Sequence, residues 1–303
     1  MLFDCVIVGG GIAGLQAGIQ LGRYKHKVLI IDSNNGRSSI CRGYHNILGY
    51  PDGVSGDELR DAGKKQCASL GVVLAEDTVV SARKKDDYFI LTGQYGESYS
   101  GKRLLFATGI MDRIPAFPSL YPCLGISVYV CPDCDGYEIK DKSTIVIGSG
   151  NVGANMALIL SYWTDKIIYV NHEEKPVSEE KKRLLEEKKI FYYDGEIAEI
   201  LAESSQFQGV RLKNGKMILS NRAFIALGGN EVRSALAAQL GVKLHKNKHI
   251  LVDPRTKKTN VENVWAAGDI VAHSEQVTIA MGDGSQAGIW IHKSLMEVKE
   301  NNK

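Results

Sequence analysis

The chain has 303 residues, 44% of them hydrophobic and 24% charged, with seven prolines, enough for a sizeable core in about two domains; disorder and fibre are excluded. Thirty-seven basic and thirty-five acidic side chains leave a formal charge of +2, which excludes the general electrostatic footprint of a nucleic-acid binder. No run of roughly 18 apolar residues occurs, and the first apolar stretch, Cys5 to Gly11, lacks the basic flank and cleavage site of a leader. A soluble, cytoplasmic protein with no membrane partner is therefore expected. Cys5, Cys41, Cys67 and Cys123 are scattered singly, unlike a disulfide framework, and suit a reducing compartment. Thirty-two glycines, against a usual share of about 7%, matter through where they cluster.

Phe3 to Val8 reads as a buried strand, Gly9-Gly10-Gly11-Ile12-Ala13-Gly14 as a GxGxxG turn, and Leu15 to Leu21 as the following helix. In that setting Gly9 permits the tight turn, Gly11 lets a pyrophosphate approach the backbone, and Gly14 lets the helix pack on the strand, with the anion at the helix N-terminus. A second apolar run, Val28 to Ile31, ends in Asp32, placed to reach a ribose hydroxyl.

Further along lies Cys131-Pro132-Asp133-Cys134-Asp135-Gly136. Three readings stay open for this CxxC. A zinc site would need two more ligands at metal spacing, and no other cysteine pair or histidine cluster offers them, so no metal is expected. An inert core pair fits poorly with a proline inside the motif and acids around it. A redox dithiol accounts for it best: cysteines three apart at a turn can meet disulfide geometry, one attacking a substrate disulfide and the other resolving the mixed disulfide. Asp135 then exchanges a proton with the leaving thiolate, or else simply caps a helix.

The nucleotide design repeats directly afterwards, with Ser143 to Ile147 as strand, Gly148-Ser149-Gly150-Asn151-Val152-Gly153 as turn, Ala154 to Tyr162 as helix and Lys166 to Val170 as the next strand. That strand ends in Asn171-His172-Glu173-Glu174, with neither an acid at the position equivalent to Asp32 nor an arginine beside it for the 2′-phosphate of NADP. The second fold is either a nucleotide site at Gly148, Gly150, Asn151, Val152 and Gly153 or a retained fold with weak or no nucleotide binding. The charged stretch Glu179 to Lys189 reads as a solvated helix face.

Together with Leu105-Phe106-Ala107-Thr108-Gly109, the late Asn263-Val264-Trp265-Ala266-Ala267-Gly268-Asp269 and the stretch Gln276 to Gly288, this constellation resembles the low-molecular-weight thioredoxin reductase family of flavoproteins over nearly the whole chain. The resemblance implies an α/β fold of two Rossmann-like three-layer domains, the second inserted in the first: an FAD domain at 1–113 and 231–303 and an inserted domain at 114–230, hinged at the two crossings. It implies FAD contacts at Gly9, Gly11, Ile12, Ala13, Gly14, Asp32, Ser33, Asn46, Val79, Thr108, Gly109, Gly268, Asp269, Gln276 and Val277. It also implies a homodimer, and catalysis by Cys131, Cys134 and Asp135, with Cys134 meeting the flavin and Cys131 exchanging with a thioredoxin-like protein.

Two departures qualify that expectation. Where NADPH-using members carry His-Arg-Arg, this chain reads His172-Glu173-Glu174, so poor NAD(P)H use is expected, with ferredoxin or flavodoxin as alternative donors. The segment Arg37 to Gly53 lacks the usual GGQ and is closer to a branch that includes small-molecule dithiol oxidases, which makes a small dithiol, with oxygen as acceptor, the rival substrate. A non-catalytic flavin redox sensor is the third class. Cys41 and His45 read as a small buried hydrophobe and a loop histidine, and Trp290 as core or interface packing.

Overall fold

The computed structural model describes residues 1–301. In chain order its elements are β1 (Leu2–Val8), α1 (Ile12–Arg23), β2 (Val28–Asp32), α2 (Arg37–Ile40), α3 (Gly56–Ser69), β3 (Val73–Glu76), β4 (Val79–Lys85), β5 (Tyr88–Gly93), β6 (Ser98–Phe106) and β7 (Ile110–Met111). There follow β8 (Val128–Tyr129), α4 (Pro132–Asp135), β9 (Thr144–Gly148), α5 (Gly150–Leu160), β10 (Ile167–Asn171), α6 (Glu179–Glu187), β11 (Phe191–Asp194), β12 (Ile197–Glu203), β13 (Gln206–Leu212), β14 (Met217–Leu219) and β15 (Arg222–Ala226). The last are β16 (Glu231–Val232), α7 (Ala235–Ala238), β17 (Val264–Ala266) and α8 (Val277–Asn301). The chain divides into two compact units, one of residues 1–39, 57–111 and 231–301, the other of 40–56 and 112–230. The segment 40–56, which the sequence reading keeps within 1–113, groups by its contacts with the second unit, where Arg42 donates to the Leu124 carbonyl.

In the first unit the strand order is β3-β2-β1-β6-β5-β4, with β17 beside β6; β1, β2, β3, β6 and β17 run parallel and β4 and β5 antiparallel. Successive residues of β1 feed opposite faces. Val6 and Val8 join Leu29, Ile31, Leu104 and Phe106, whereas Cys5 and Ile7 join Val28, Ile30, Leu105 and Trp265. A strand buried on both faces reads as the unbroken apolar run seen in the sequence. The first helix starts at Ile12, three residues before the predicted Leu15, so Gly14 lies in its first turn. A Cβ on Gly14 would stand 1.9 Å from the Gly9 carbonyl oxygen, which is the close helix-to-strand packing the third glycine allows. Gly284 and Gly288 likewise let α8 lie against α1, since a Cβ on Gly284 would stand 2.2 Å from the Ala13 carbonyl oxygen.

The second unit holds a five-stranded parallel sheet, β11-β10-β9-β15-β8, and a three-stranded antiparallel sheet, β12-β13-β14. Here too the helix starts early, at Gly150 instead of Ala154. A Cβ on Gly153 would meet the Tyr169 ring at 2.5 Å, so the helix and the next strand approach through that glycine. The architecture is a mixed α/β fold built on two parallel sheets of Rossmann type. Among the described residues no helix is long and apolar enough to cross a membrane.

Candidate active site

Each parallel sheet carries its glycine turn at the C-terminal end of its first strand, where an α/β fold binds ligands. In the first unit Gly9 has φ +107°, and a Cβ there would stand 2.2 Å from the Ala107 carbonyl oxygen. The nearest atom to a Cβ on Gly11 would be Ser38 Oγ, at 3.9 Å, so the backbone stays open at the residue that must admit a pyrophosphate. Gly11 is the N-cap of α1 with no side-chain cap, leaving helix amides toward that space. Gly268, at φ +78°, packs its turn against the same segment: a Cβ there would lie 2.8 Å from Ala13 Cβ. Val8, Ala107 and Ala267 link the strand ends through Ala107 N donating to Val8 O and Ala267 N to Phe106 O. The geometry therefore brings Gly9, Gly11, Ile12, Ala13, Gly14, Gly268 and Asp269 together.

Several partners in this unit are invisible in the sequence pattern. Arg60, 4% exposed and carried by α3, donates to Asp32 Oδ2 at 2.7 Å and to Asn34 Oδ1 at 2.6 Å, and its Nε is buried without a hydrogen-bond partner. Asp283 of α8 accepts the Gly268 amide at 3.1 Å and pairs with His273 and Lys257, each at 2.6 Å. Burial alone would push the Asp283 carboxyl up, but those two cations outweigh it and hold the carboxyl below its ordinary range. The same bond to Asp283 raises the His273 pKa. Arg37 donates to Asp269 Oδ2 at 3.0 Å and to Glu275 Oε2 at 2.9 Å.

The remaining predicted contacts are spread more widely. Thr108 Oγ1 donates to the Arg233 carbonyl at 2.8 Å, and Gly109, at φ +63°, receives the Arg233 amide at 3.2 Å. Ser33 is exposed at the end of β2, Val79 opens β4, and Gln276 and Val277 lead into α8, half-buried. Asn46 is exposed in the 40–56 segment and so belongs by contacts to the second unit. In that unit Cys41 is half-buried, its thiol facing the Gly43 carbonyl at 3.3 Å, and His45 is exposed beside Gly43 and Gly53. Trp290 is half-buried in α8, with the Arg255 guanidinium and the Lys293 ammonium over its ring.

In the second unit Cys131 and Cys134 form a disulfide across a Cα separation of 5.3 Å. Pro132 opens the short α4, and the Cys134 amide donates to Cys131 Sγ at 3.2 Å. Gly136 closes the motif against Trp163, whose ring lies 2.6 Å from where a Cβ would be. Asp135 is half-buried and its side chain makes no helix-capping hydrogen bond, against the capping alternative. Burial first, and then the Glu138 carboxylate, push its pKa up to about 7. A carboxyl in that range is part protonated near neutrality and can give or take a proton beside a sulfur. Among the described residues no group of three or more His, Cys, Asp or Glu side chains could hold a metal.

The second glycine turn is engaged by the chain itself. The Gly150 amide donates to Asn171 Oδ1 at 2.8 Å, and Tyr169 Oη donates to the Gly150 carbonyl at 2.7 Å. A Cβ on Gly150 would stand 3.1 Å from both Lys175 Cβ and the Pro176 carbonyl oxygen, whereas nothing so near covers Gly11. Asn151 Oδ1 accepts the Ser178 amide at 2.9 Å; Val152 is exposed. At the end of β10, Glu173 is paired with Arg113 and, at 2.9 Å, with Lys175. Arg113, Phe117, His172, Glu173, Ile197 and Lys213 line an open cavity of about 450 Å³ there. His172 Nδ1 accepts the Ile197 amide at 2.9 Å, and burial lowers its pKa, so the ring is held neutral.

A profile of the pyridine nucleotide-disulphide oxidoreductases matches residues 3–284. The chain belongs to that family. As a pyridine nucleotide-disulphide oxidoreductase it is 27% identical over 312 residues to the thioredoxin reductase of Streptomyces coelicolor, covering 99% of this chain and 96% of that protein. It is 28% identical over 298 residues to the thioredoxin reductase of Treponema pallidum, covering 94% of each. Its fold matches the crystal structure of HlmI with a TM-score of 0.87 at 25% identity, over 99% of this chain and 94% of that one. The chain is thus an enzyme of the flavoprotein disulfide oxidoreductase type, similar to the low-molecular-weight thioredoxin reductases. FAD, the cofactor of that type, fits the first unit: Gly9, Gly11 and Gly14 form a cradle that side chains would fill, and the Arg60 Nε beside Asp32 offers a buried donor.

Proposed function

We propose that this enzyme moves two electrons between FAD and the Cys131–Cys134 pair, and onward to the disulfide of a thioredoxin-like protein, with a donor other than NADPH. The observation that carries the proposal is the disulfide beside Asp135, whose raised pKa suits proton exchange with a thiolate. The proposed division of labour has a discontinuous FAD-binding domain and an inserted domain bearing the dithiol.

FAD, when bound and reduced by its donor, would supply the two electrons that convert the disulfide to the dithiol. The chain's own residues do the rest. Cys131, as thiolate, bonds to one partner sulfur; the other partner sulfur leaves and takes a proton from Asp135. The Cys134 thiol, passing its proton to the Asp135 carboxylate, then attacks Cys131 Sγ; the second partner sulfur leaves and takes that proton, so the disulfide is restored and the partner gains two electrons and two protons.

Poor NADPH use is supported by Glu173, whose carboxylate would face the 2′-phosphate and is held by Arg113 and Lys175. It is supported further by the Gly150 amide, which Asn171 already takes. Anaerobic titration with NADPH, NADH, reduced ferredoxin, reduced flavodoxin and dithiothreitol, following flavin bleaching, tests the donor. Slow bleaching by NADPH is expected; rapid stoichiometric bleaching at micromolar NADPH would refute this part. Turnover of a thioredoxin disulfide that survives in Cys134→Ser would sink the dithiol mechanism. Peroxide formed in proportion to a small dithiol consumed would move the substrate to the rival class.

A further inference from the structure

Glu275 and Asp269 place two carboxylates beside the turn that the cofactor's pyrophosphate must approach, an arrangement that would repel a dianion unless a cation intervened. Arg37 is that cation. It opens α2, the Oγ of its neighbour Ser38 would stand 3.9 Å from a Cβ on Gly11, and its guanidinium reaches Asp269 at 3.0 Å and Glu275 at 2.9 Å. Glu275 is fixed from its other side by His249, 8% exposed, whose Nε2 lies 3.3 Å from Glu275 Oε1. The Arg37 side chain is 19% exposed, and the two carboxylates orient its guanidinium.

We propose that Arg37 is a cofactor-binding residue whose guanidinium pairs with the pyrophosphate of FAD, with Asp269 and Glu275 holding it in place beforehand. The proposal rests on FAD being the cofactor, and on nothing about the donor or the thiol substrate. A planar guanidinium can bond a phosphate and a carboxylate from different edges, which a lysine cannot do. The helix amides at Gly11 and the arginine then act on the same anion, and Asp269 keeps its capacity to accept a hydroxyl hydrogen bond.

The test is FAD titration into the full-length apoprotein, followed by quenching of flavin fluorescence at several salt concentrations. The proteins are the wild type, Arg37→Gln, Arg37→Lys, Glu275→Gln and the double variant Arg37→Gln/Glu275→Gln. Arg37→Gln should raise the Kd for FAD about tenfold or more, in line with a lost charge-assisted bond, and flatten its dependence on salt. Arg37→Lys should recover part of the loss, and Glu275→Gln, which removes one of the two carboxylates that hold Arg37, should weaken binding by less than Arg37→Gln does. Because Arg37→Gln leaves two carboxylates facing each other, the double variant guards against a mere folding defect, and it should stay about tenfold weaker than Glu275→Gln. A double variant as tight as Glu275→Gln, or an unchanged Kd and salt slope in Arg37→Gln, overturns the proposal. Failure of the wild type to bind any FAD would instead refute the cofactor assignment itself.

Discussion

Asn171 and Gly150 are joined across the second nucleotide turn by a 2.8 Å hydrogen bond from the glycine amide to the asparagine side-chain Oδ1, at the place where a dinucleotide would otherwise take that amide. Asn171 is fully buried, and its Nδ2 also donates to the Lys175 carbonyl at 2.8 Å and to Asp194 at 2.6 Å. Asn171→Ala strands the buried Gly150 amide and removes the bonds to Lys175 and Asp194, and should cost about 3 kcal/mol of stability. Denaturant unfolding measures this; a loss below about 1 kcal/mol would show that the turn is not held by this side chain.

Glu173 governs the charge at the end of β10. Reversing it together with its neighbour, in Glu173→Arg/Glu174→Arg, frees Arg113 from its pair and presents cations to a 2′-phosphate. NADPH affinity should rise about tenfold at low salt, an effect of the size expected for charge-assisted phosphate contacts, and decline as salt screens it. Stopped-flow bleaching by NADPH measures the gain. No gain would mean that the occupied Gly150 turn, and not the acids, excludes the nucleotide.

Asp135 predicts a pH dependence of opposite sign to that of an ordinary carboxylate. Its folded pKa of about 7 lies above the ordinary 3.8, so the fold binds an extra proton between those values. Its contribution to stability is therefore lost as pH rises from about 4 to 7 and is constant above. Asp135→Asn abolishes that loss, so its melting temperature should gain on the wild type between pH 5 and 8. Thiol exchange by the wild type should slow above pH 7 as the proton donor is consumed, while the variant is slow throughout. Parallel pH profiles for the two proteins would remove Asp135 from the proton path.

Asp283 and His273 form the pair that anchors the Gly268 amide. His273 is raised above its ordinary 6.5 and Asp283 held below its ordinary 3.8. The Asp283 share is present above 3.8 and lost as pH falls through its lower folded value; the His273 share is present below 6.5 and lost as pH rises through its raised one. Both are therefore complete between those two ordinary values. Asp283→Asn should cost about 3 kcal/mol, as expected when one partner of a buried pair is removed, with the deficit largest near pH 5–6. FAD affinity should drop with it, because the Gly268 turn loses its anchor. A deficit that does not vary with pH would show that His273 titrates independently of Asp283.

The strands flanking the two glycine turns, the turns themselves and the cysteine motif were legible in the sequence because each depends on neighbours in the chain. An unbroken apolar run means a strand buried on both faces, a GxGxxG admits only a backbone approach, and two cysteines three apart are brought together by one turn. Asp135 could be named from its place in the motif, but its role turned on burial, which no local pattern reports. Arg37, Arg60, Asp283 and Arg113 were missed for one reason: each pairs with an oppositely charged group elsewhere in the chain, as Arg37 does with Asp269 across 232 positions. Charge counting gave +2 and nothing about where opposite charges meet. The thirty-two glycines divided in the same way. Sequence placed two matching turns; tertiary packing left Gly11 open and filled the space at Gly150 with Asn171, Lys175 and Pro176, because what a turn can admit is set by the side chains that fold over it.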